Sequence, residues 1–192
     1  RKIFSNSLRS YTNLLILYYK MAGENATKEI LNNTLEFVCK LLNINDFDNW
    51  FIGYGTLLGI IRENSCIDGD DDIDIIIDRI HYGRLKKVLM ENGFKIEYGF
   101  GIADNRNILK TKETNECCSV DFYMASVDNN GHYYDSWENV IWSYCNPILK
   151  YKWQSTELRI PSHAETKLVN RYGVNYKTPQ KSKGVFPRKK AI

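Results

Sequence analysis

Residues 67–78 read IDGDDDIDIIID and hold six aspartates. Asp68, Asp70 and Asp71 suit a solvated acidic loop. Asp72 and Asp74 do not, because they stand among Ile73, Ile75, Ile76 and Ile77, and such an isoleucine run forms a buried strand. Side chains alternate along a strand, so Asp72 and Asp74 share one face, about 6–7 Å apart. Carboxylates at that distance repel by about 2.5 kcal/mol at an effective dielectric of about 20. Partial burial adds a desolvation cost to each. A divalent cation relieves both costs, and aspartate oxygens suit Mg²⁺ or Mn²⁺, ions that also hold phosphates. Asp121, alone in the apolar sequence Ser119-Val120-Asp121-Phe122-Tyr123, is the third acid such a site needs. The expected metal ligands and catalytic acids are therefore Asp72, Asp74 and Asp121.

Upstream lies Gly53-Tyr54-Gly55-Thr56-Leu57-Leu58-Gly59, between a strand and a helix. Glycine lets the backbone approach a ligand closely, and a helix N-terminus attracts phosphate. Gly55 and Thr56 are the expected phosphate turn. Arg62 on the helix that follows and Asp71 in the acidic loop complete the candidate substrate contacts. His81, His132 and His163 do not cluster in sequence. No G-x-S-x-G and no Walker A pattern is present, so neither serine hydrolase nor P-loop chemistry is indicated.

The elements that position these residues follow from periodicity. Residues 5–21 have an apolar face at helical spacing, and so does a second helix from Thr27 to about Leu42, buried through Ile30, Leu31, Leu35, Val38, Leu41 and Leu42. Short strands are expected at Trp50–Tyr54 and Asp72–Ile77, with a brief helix from Leu57 to about Arg62 between them. A helix over Tyr82–Glu91 stops at Gly93. Strands are expected at Phe94–Tyr98, Asn107–Thr111 and Val120–Ala125. The aromatic stretch from His132 to Trp153 has no clear period. A last helix covers Ala164–Tyr172. The whole predicts an α/β (α+β) domain, a sheet covered by helices.

The chain has 192 residues, 43% hydrophobic and 26% charged. That is the composition of one globular domain with a full core. One catalytic domain is expected over residues 1–180, with a basic tail at 181–192. The last 20 residues carry +6 of a net +3, so the preceding body stands at −3. A solvated tail accounts for this, with contact to an anionic substrate or nucleic acid as the sharper alternative. Nothing in the body interleaves basic and aromatic residues as a nucleic-acid surface does, and no apolar run reaches the roughly 20 residues of a membrane span. The five cysteines form no C-x-x-C pair, which argues against a zinc site or disulfide framework and favours a reducing compartment such as the cytoplasm. A secretory-pathway lumen is the alternative if an anchor precedes Arg1.

GTLLG, Arg62 and DDDIDI together closely resemble the LicD family, which includes fukutin and the fukutin-related protein, within the nucleotidyltransferase superfamily. The resemblance runs from about Phe51 to Arg79 and resumes at Val120-Asp121-Phe122. It returns weakly at Ile160-Pro161 and from Leu168 to Pro179. Asp68 and Gly69 stand where the family usually has Pro-Trp, which leaves the metal pair intact. The resemblance implies a nucleotidyltransferase-like fold and a Mg- or Mn-dependent transferase. Such an enzyme would take a nucleotide-linked donor such as CDP-choline or CDP-ribitol, move the phospho-alcohol to a glycan hydroxyl and release a nucleoside monophosphate. Asp121 would accept the hydroxyl proton. Trp137, Trp142 and Trp153 would stack on base or sugar, or cap a choline; core packing is their plainer role. Two other functions carry the same residues: transfer of an NMP group from an NTP, and a catalytically inactive binding module. The intact acids argue against the last.

Overall fold

Residues 25–98, 106–179 and 191–192 are described by the computed structural model; the helix expected over residues 5–21 lies outside them. Helix α1 (Lys28–Ile44) is capped by the Thr27 hydroxyl, which accepts from the Ile30 amide at 3.3 Å. Its buried side chains include Leu31, Leu35, Val38, Leu41 and Leu42, the expected stripe; Ile30 is half-buried at its edge. Strand β1 (Trp50–Ile52) leads into α2 (Tyr54–Glu63), then β2 (Asp72–Asp78), a 3-10 turn at Arg79–His81 and α3 (Tyr82–Glu91). Strands β3 (Ile108–Lys110), β4 (Ser119–Val127), β5 (Tyr133–Asp135) and β6 (Val140–Trp142) follow. A hairpin, β7 (Leu149–Trp153) and β8 (Thr156–Ile160), and helix α4 (Ala164–Tyr172) complete the order.

The main sheet runs β1-β2-β4-β5-β6, with β3 also paired to β4. Among the described strands of this sheet, β2 and β4 pair in parallel and the other strand pairs are antiparallel. Such a mixed sheet with helices against it is the expected α+β class. The isoleucines explain its centre. Ile73, Ile75, Ile76 and Ile77 are all buried, because β2 is sandwiched between β1 and β4 and covered on its faces. Phe51 of β1 meets Tyr133 and Trp142 edge-on, at ring separations of 5.1 and 5.3 Å.

Two expectations change, and one alternative falls away. The strand expected at residues 94–98 reduces to one bridge, Ile96 opposite Thr111. Phe94 and Ile96 are its only buried side chains, too few to anchor a longer ladder. Helix α2 starts at Tyr54, so Gly55 and Thr56 lie in its first turn and not in a turn before it. Trp142 and Trp153 are buried in the core, 2% and 1% exposed, and do not form a ligand platform. Trp153 spends its indole N–H on the Asn64 carbonyl at 3.0 Å. Trp137 is half-buried against the same core. All five cysteines are free thiols, four of them buried.

Candidate active site

Asp72 and Asp74 are two residues apart on β2 and therefore on one face. The parallel register with β4 sets Asp74 directly beside Asp121, and Asp72 beside Ser119. The three acids expected from sequence thus meet on adjacent strands. Helix α2 supplies the roof. The Asp74 carboxylate accepts from the Gly55 amide at 2.9 Å and from the Thr56 amide at 3.4 Å, both through Oδ2. The Thr56 hydroxyl accepts in return from the Asp74 amide at 2.8 Å. The Tyr123 hydroxyl donates to Asp74 Oδ1 at 3.2 Å. The amides expected to hold donor phosphate are directed here at Asp74.

The acidic loop is tied to the start of α1: the Lys28 amide donates to Asp68 at 2.9 Å, and the Ala26 amide to the Asp70 carbonyl at 2.8 Å. This turns Asp70 inward. A Cβ on Gly55 would stand 2.9 Å from Asp70 Oδ2 and 3.3 Å from Asp74 Oδ2, so only glycine leaves both carboxylates room. Oxygens of Asp70, Asp71 and Asp72 come within 4.8 Å of one another. Asp71, a candidate substrate contact, stands at this outer rim and is half-buried. Arg62 is turned elsewhere: its Nε donates to Glu63 at 2.8 Å, and only 9% of its side chain is exposed.

Electrostatics mark the cluster as short of positive charge. Burial pushes Asp74 up to about 8, with Asp70 and Asp121 adding to the shift; the Thr56 amide and Tyr123 hydroxyl oppose it. Burial likewise raises Asp72 well above the usual carboxylate range, reinforced by Asp74 and Asp121. Asp121 is raised by burial too, with Lys110 pulling the other way. Buried acids that keep their protons this tightly fit an oxygen-liganded dication, which would hold all of them ionised.

Several participants carry no mark in the sequence. Lys110 on β3 is the cross-strand partner of Asp121, and its ammonium lies 2.8 and 3.0 Å from the two oxygens of Asp121 and 3.7 Å from Asp72. Its one signal is a cation inside the apolar sequence Ile108-Leu109-Lys110. Tyr54 opens α2 at a φ of 39°, a left-handed conformation costing on the order of 1 kcal/mol. Its hydroxyl is held at 2.6 Å by the fully buried Asp135, and its ring by Tyr123 and Trp142. Helix α4 closes this flank. Arg171 lies over the Tyr54 ring at 4.8 Å, and Tyr172 feels the charges of Asp74 and Asp70.

A family model described as LicD/FKTN/FKRP, nucleotidyltransferase domain, matches residues 48–163, a span that holds every acid named above. The uncharacterized protein RP689 of Rickettsia prowazekii (strain Madrid E) is 26% identical over 164 residues, covering 80% of this chain and 57% of that protein. The chain thus spans little more than half the length of this curated relative. Among solved structures, the lincomycin-bound lincosamide antibiotic adenylyltransferase LnuA superposes with a TM-score of 0.52 at 18% identity, over 78% of this chain and 88% of that one. The complex of ANT(2")-Ia with adenylyl-2"-tobramycin reaches 0.45 at 13% identity, over 67% and 66%. At such identities the likeness to LnuA concerns the fold. The family match covers more than half of the chain and contains its whole acidic site: the chain belongs to the LicD/FKTN/FKRP nucleotidyltransferase-domain family.

Proposed function

We propose that this protein moves a phospho-alcohol or phospho-sugar, of phosphocholine or ribitol-phosphate type, from a CDP-linked donor to a glycan hydroxyl, with Mg²⁺ or Mn²⁺ required. Family membership supports a transferase. The observation that carries the reading is the register of β2 with β4, which brings Asp72, Asp74 and Asp121 together beneath the first turn of α2.

Asp72, Asp74 and Asp121 would hold the metal, with Asp70 and Asp71 next to them. Bound there, a dication supplies charge neutralisation for the donor diphosphate and for the charge that develops on the leaving phosphate. The protein's own groups do the rest. The α2 amides and Tyr123 fix the Asp74 carboxylate, so the acid needs no reorganisation when donor arrives. Gly55 leaves room for the Asp70 and Asp74 carboxylates against the first turn of α2. The acceptor hydroxyl oxygen attacks the phosphorus that carries the alcohol, the bridging P–O bond breaks, and CMP departs. Asp121 takes the hydroxyl proton. In the metal-free protein the adjacent Lys110 opposes the rise that burial imposes on Asp121.

A panel of CDP-choline, CDP-ribitol and other nucleotide-linked alcohols and sugars, incubated with Mn²⁺ and glycan acceptors, tests the assignment by chromatography of the released nucleotide. CMP formation supports it. Pyrophosphate from an NTP, without CMP from any CDP donor, moves the assignment to NMP transfer, the class of reaction named for LnuA. Neither product leaves the binding-module reading.

A further inference from the structure

The acidic cluster already contains one cation of its own. The Lys110 ammonium contacts both oxygens of Asp121, at 2.8 and 3.0 Å, and reaches to 3.7 Å from Asp72. Only 16% of its side chain is exposed. Its place is fixed by the sheet, since β3 and β4 put Lys110 directly across from Asp121. A flexible surface lysine would gain little from such a pair, but here both partners are nearly closed off from water and cannot be re-solvated cheaply. Asp71 acts on the same ammonium from the rim. One positive charge therefore sits among Asp71, Asp72 and Asp121, and Asp72 and Asp121 are two of the three proposed ligands.

A dication that takes the Asp121 oxygens meets the repulsion of this ammonium and its hydrogen bond to Oδ2. We propose that Lys110 is a resident counter-ion which competes with the divalent cation for Asp121 and Asp72, so that the free protein stays folded without metal and binds bare metal weakly. The idea rests on the metal-site reading above. Its functional content is an order of events. Mg²⁺ is bound by one or two carboxylates together with substrate phosphates more readily than by a protein cage alone. A diphosphate brings both the missing oxygen ligands and a new anionic partner for the displaced ammonium. The cation then enters with the donor, and the empty site is not blocked by stray metal.

The test is calorimetric titration of MnCl2 alone into the wild-type protein, Lys110→Met and Lys110→Arg, with Asp74→Asn in each background. Removing the competitor raises Mn²⁺ affinity by about tenfold or more in Lys110→Met, while Lys110→Arg stays within about threefold of wild type. Without metal, Lys110→Met melts lower than wild type, and Mn²⁺ restores more of its melting temperature than it adds to wild type. Unchanged or weaker Mn²⁺ binding by a folded Lys110→Met overturns the counter-ion role, while loss of binding on Asp74→Asn in the same series leaves the metal site standing. Absence of Mn²⁺ binding in every protein overturns both. A wild-type measurement covers the case in which Lys110→Met does not fold. The ammonium resonance of Lys110, followed by ¹⁵N NMR, shifts and broadens as MgCl2 displaces it from Asp121; a signal unmoved at saturating Mg²⁺ overturns the proposal.

Discussion

Asp74 has the most fully prescribed surroundings of any acid in the cluster, and they predict how it titrates. Its folded pKa of about 8 lies above the unfolded value of about 3.9, because burial disfavours the charge. The sign follows by linkage. The group's contribution to stability is complete below pH 4 and is lost as pH rises through 8. Asp72, Asp121 and Asp70 are raised as well and act in the same direction. The metal-free protein in EDTA is therefore expected to melt lower at pH 8 than at pH 5, by on the order of 1–3 kcal/mol of stability. Thermal melts across that range check it; a rise in melting temperature with pH would sink it. Asp74→Asn supplies an amide shaped like the protonated acid, and its carbonyl oxygen can still accept from Gly55. The metal-free variant should be as stable as wild type at pH 7 or more so, with a flatter pH dependence, and should lose all stabilisation by Mn²⁺. Strong destabilisation without metal would instead make Asp74 a structural ion.

Helix α2 is the element that joins fold to site, and two of its glycines separate the two duties. A Cβ on Gly55 meets Asp70 Oδ2 at 2.9 Å, the mobile end of a side chain. A Cβ on Gly59 meets the Ser65 carbonyl at 2.6 Å and the Ile67 amide at 3.0 Å, which are backbone. Gly55→Ala should leave melting within about 1 kcal/mol of wild type, since Asp70 can swing away and alanine favours helix. It should nevertheless cut transfer at least about tenfold, because a methyl group and a displaced carboxylate intrude on the phosphate space. Gly59→Ala should cost about 1–3 kcal/mol by overpacking. Paired melts and turnover assays separate them; equal loss of stability in both would remove the distinction. Element by element, legibility tracked burial. The isoleucines of β2 announced a strand with its acids on one face, and α4 spans Ala164–Tyr172 as its periodicity predicts. The start of α2 was less legible, because Tyr54 there has a left-handed φ and its hydroxyl is held by Asp135, 81 positions away. Lys110 escaped for the same reason, since its partners are set by strand register and not by neighbours in sequence. The tryptophans carried two readings, because an aromatic side chain reads alike in a core and at a ligand, and for Trp142 and Trp153 the plainer one, core packing, holds.

On the scale of the molecule, the sheet is completed at its far edge by the last two residues. Ile192 donates its amide to the Ile141 carbonyl at 2.8 Å and accepts from the Ser143 amide at 2.7 Å. Its side chain is 3% exposed. Residues 191–192 pair in parallel with β6, whose Trp142 packs against Tyr54 at the head of α2. Among the described residues, this edge meets the head of α2 through the packing of Trp142 on Tyr54. Deleting these two residues removes a buried isoleucine and two backbone hydrogen bonds, a loss of about 1–3 kcal/mol. For a chain of this length that corresponds to roughly 2–10 °C in melting temperature. Mn²⁺ affinity and turnover measured well below the new midpoint should stay within about twofold of wild type, because α2 and the β2–β4 register are untouched. If turnover falls while the melting temperature holds, the deletion acts on substrate binding and not through stability. Repeating the assay across salt concentrations then identifies the contact, since an electrostatic contact weakens as the Debye length shortens and a packing contact does not.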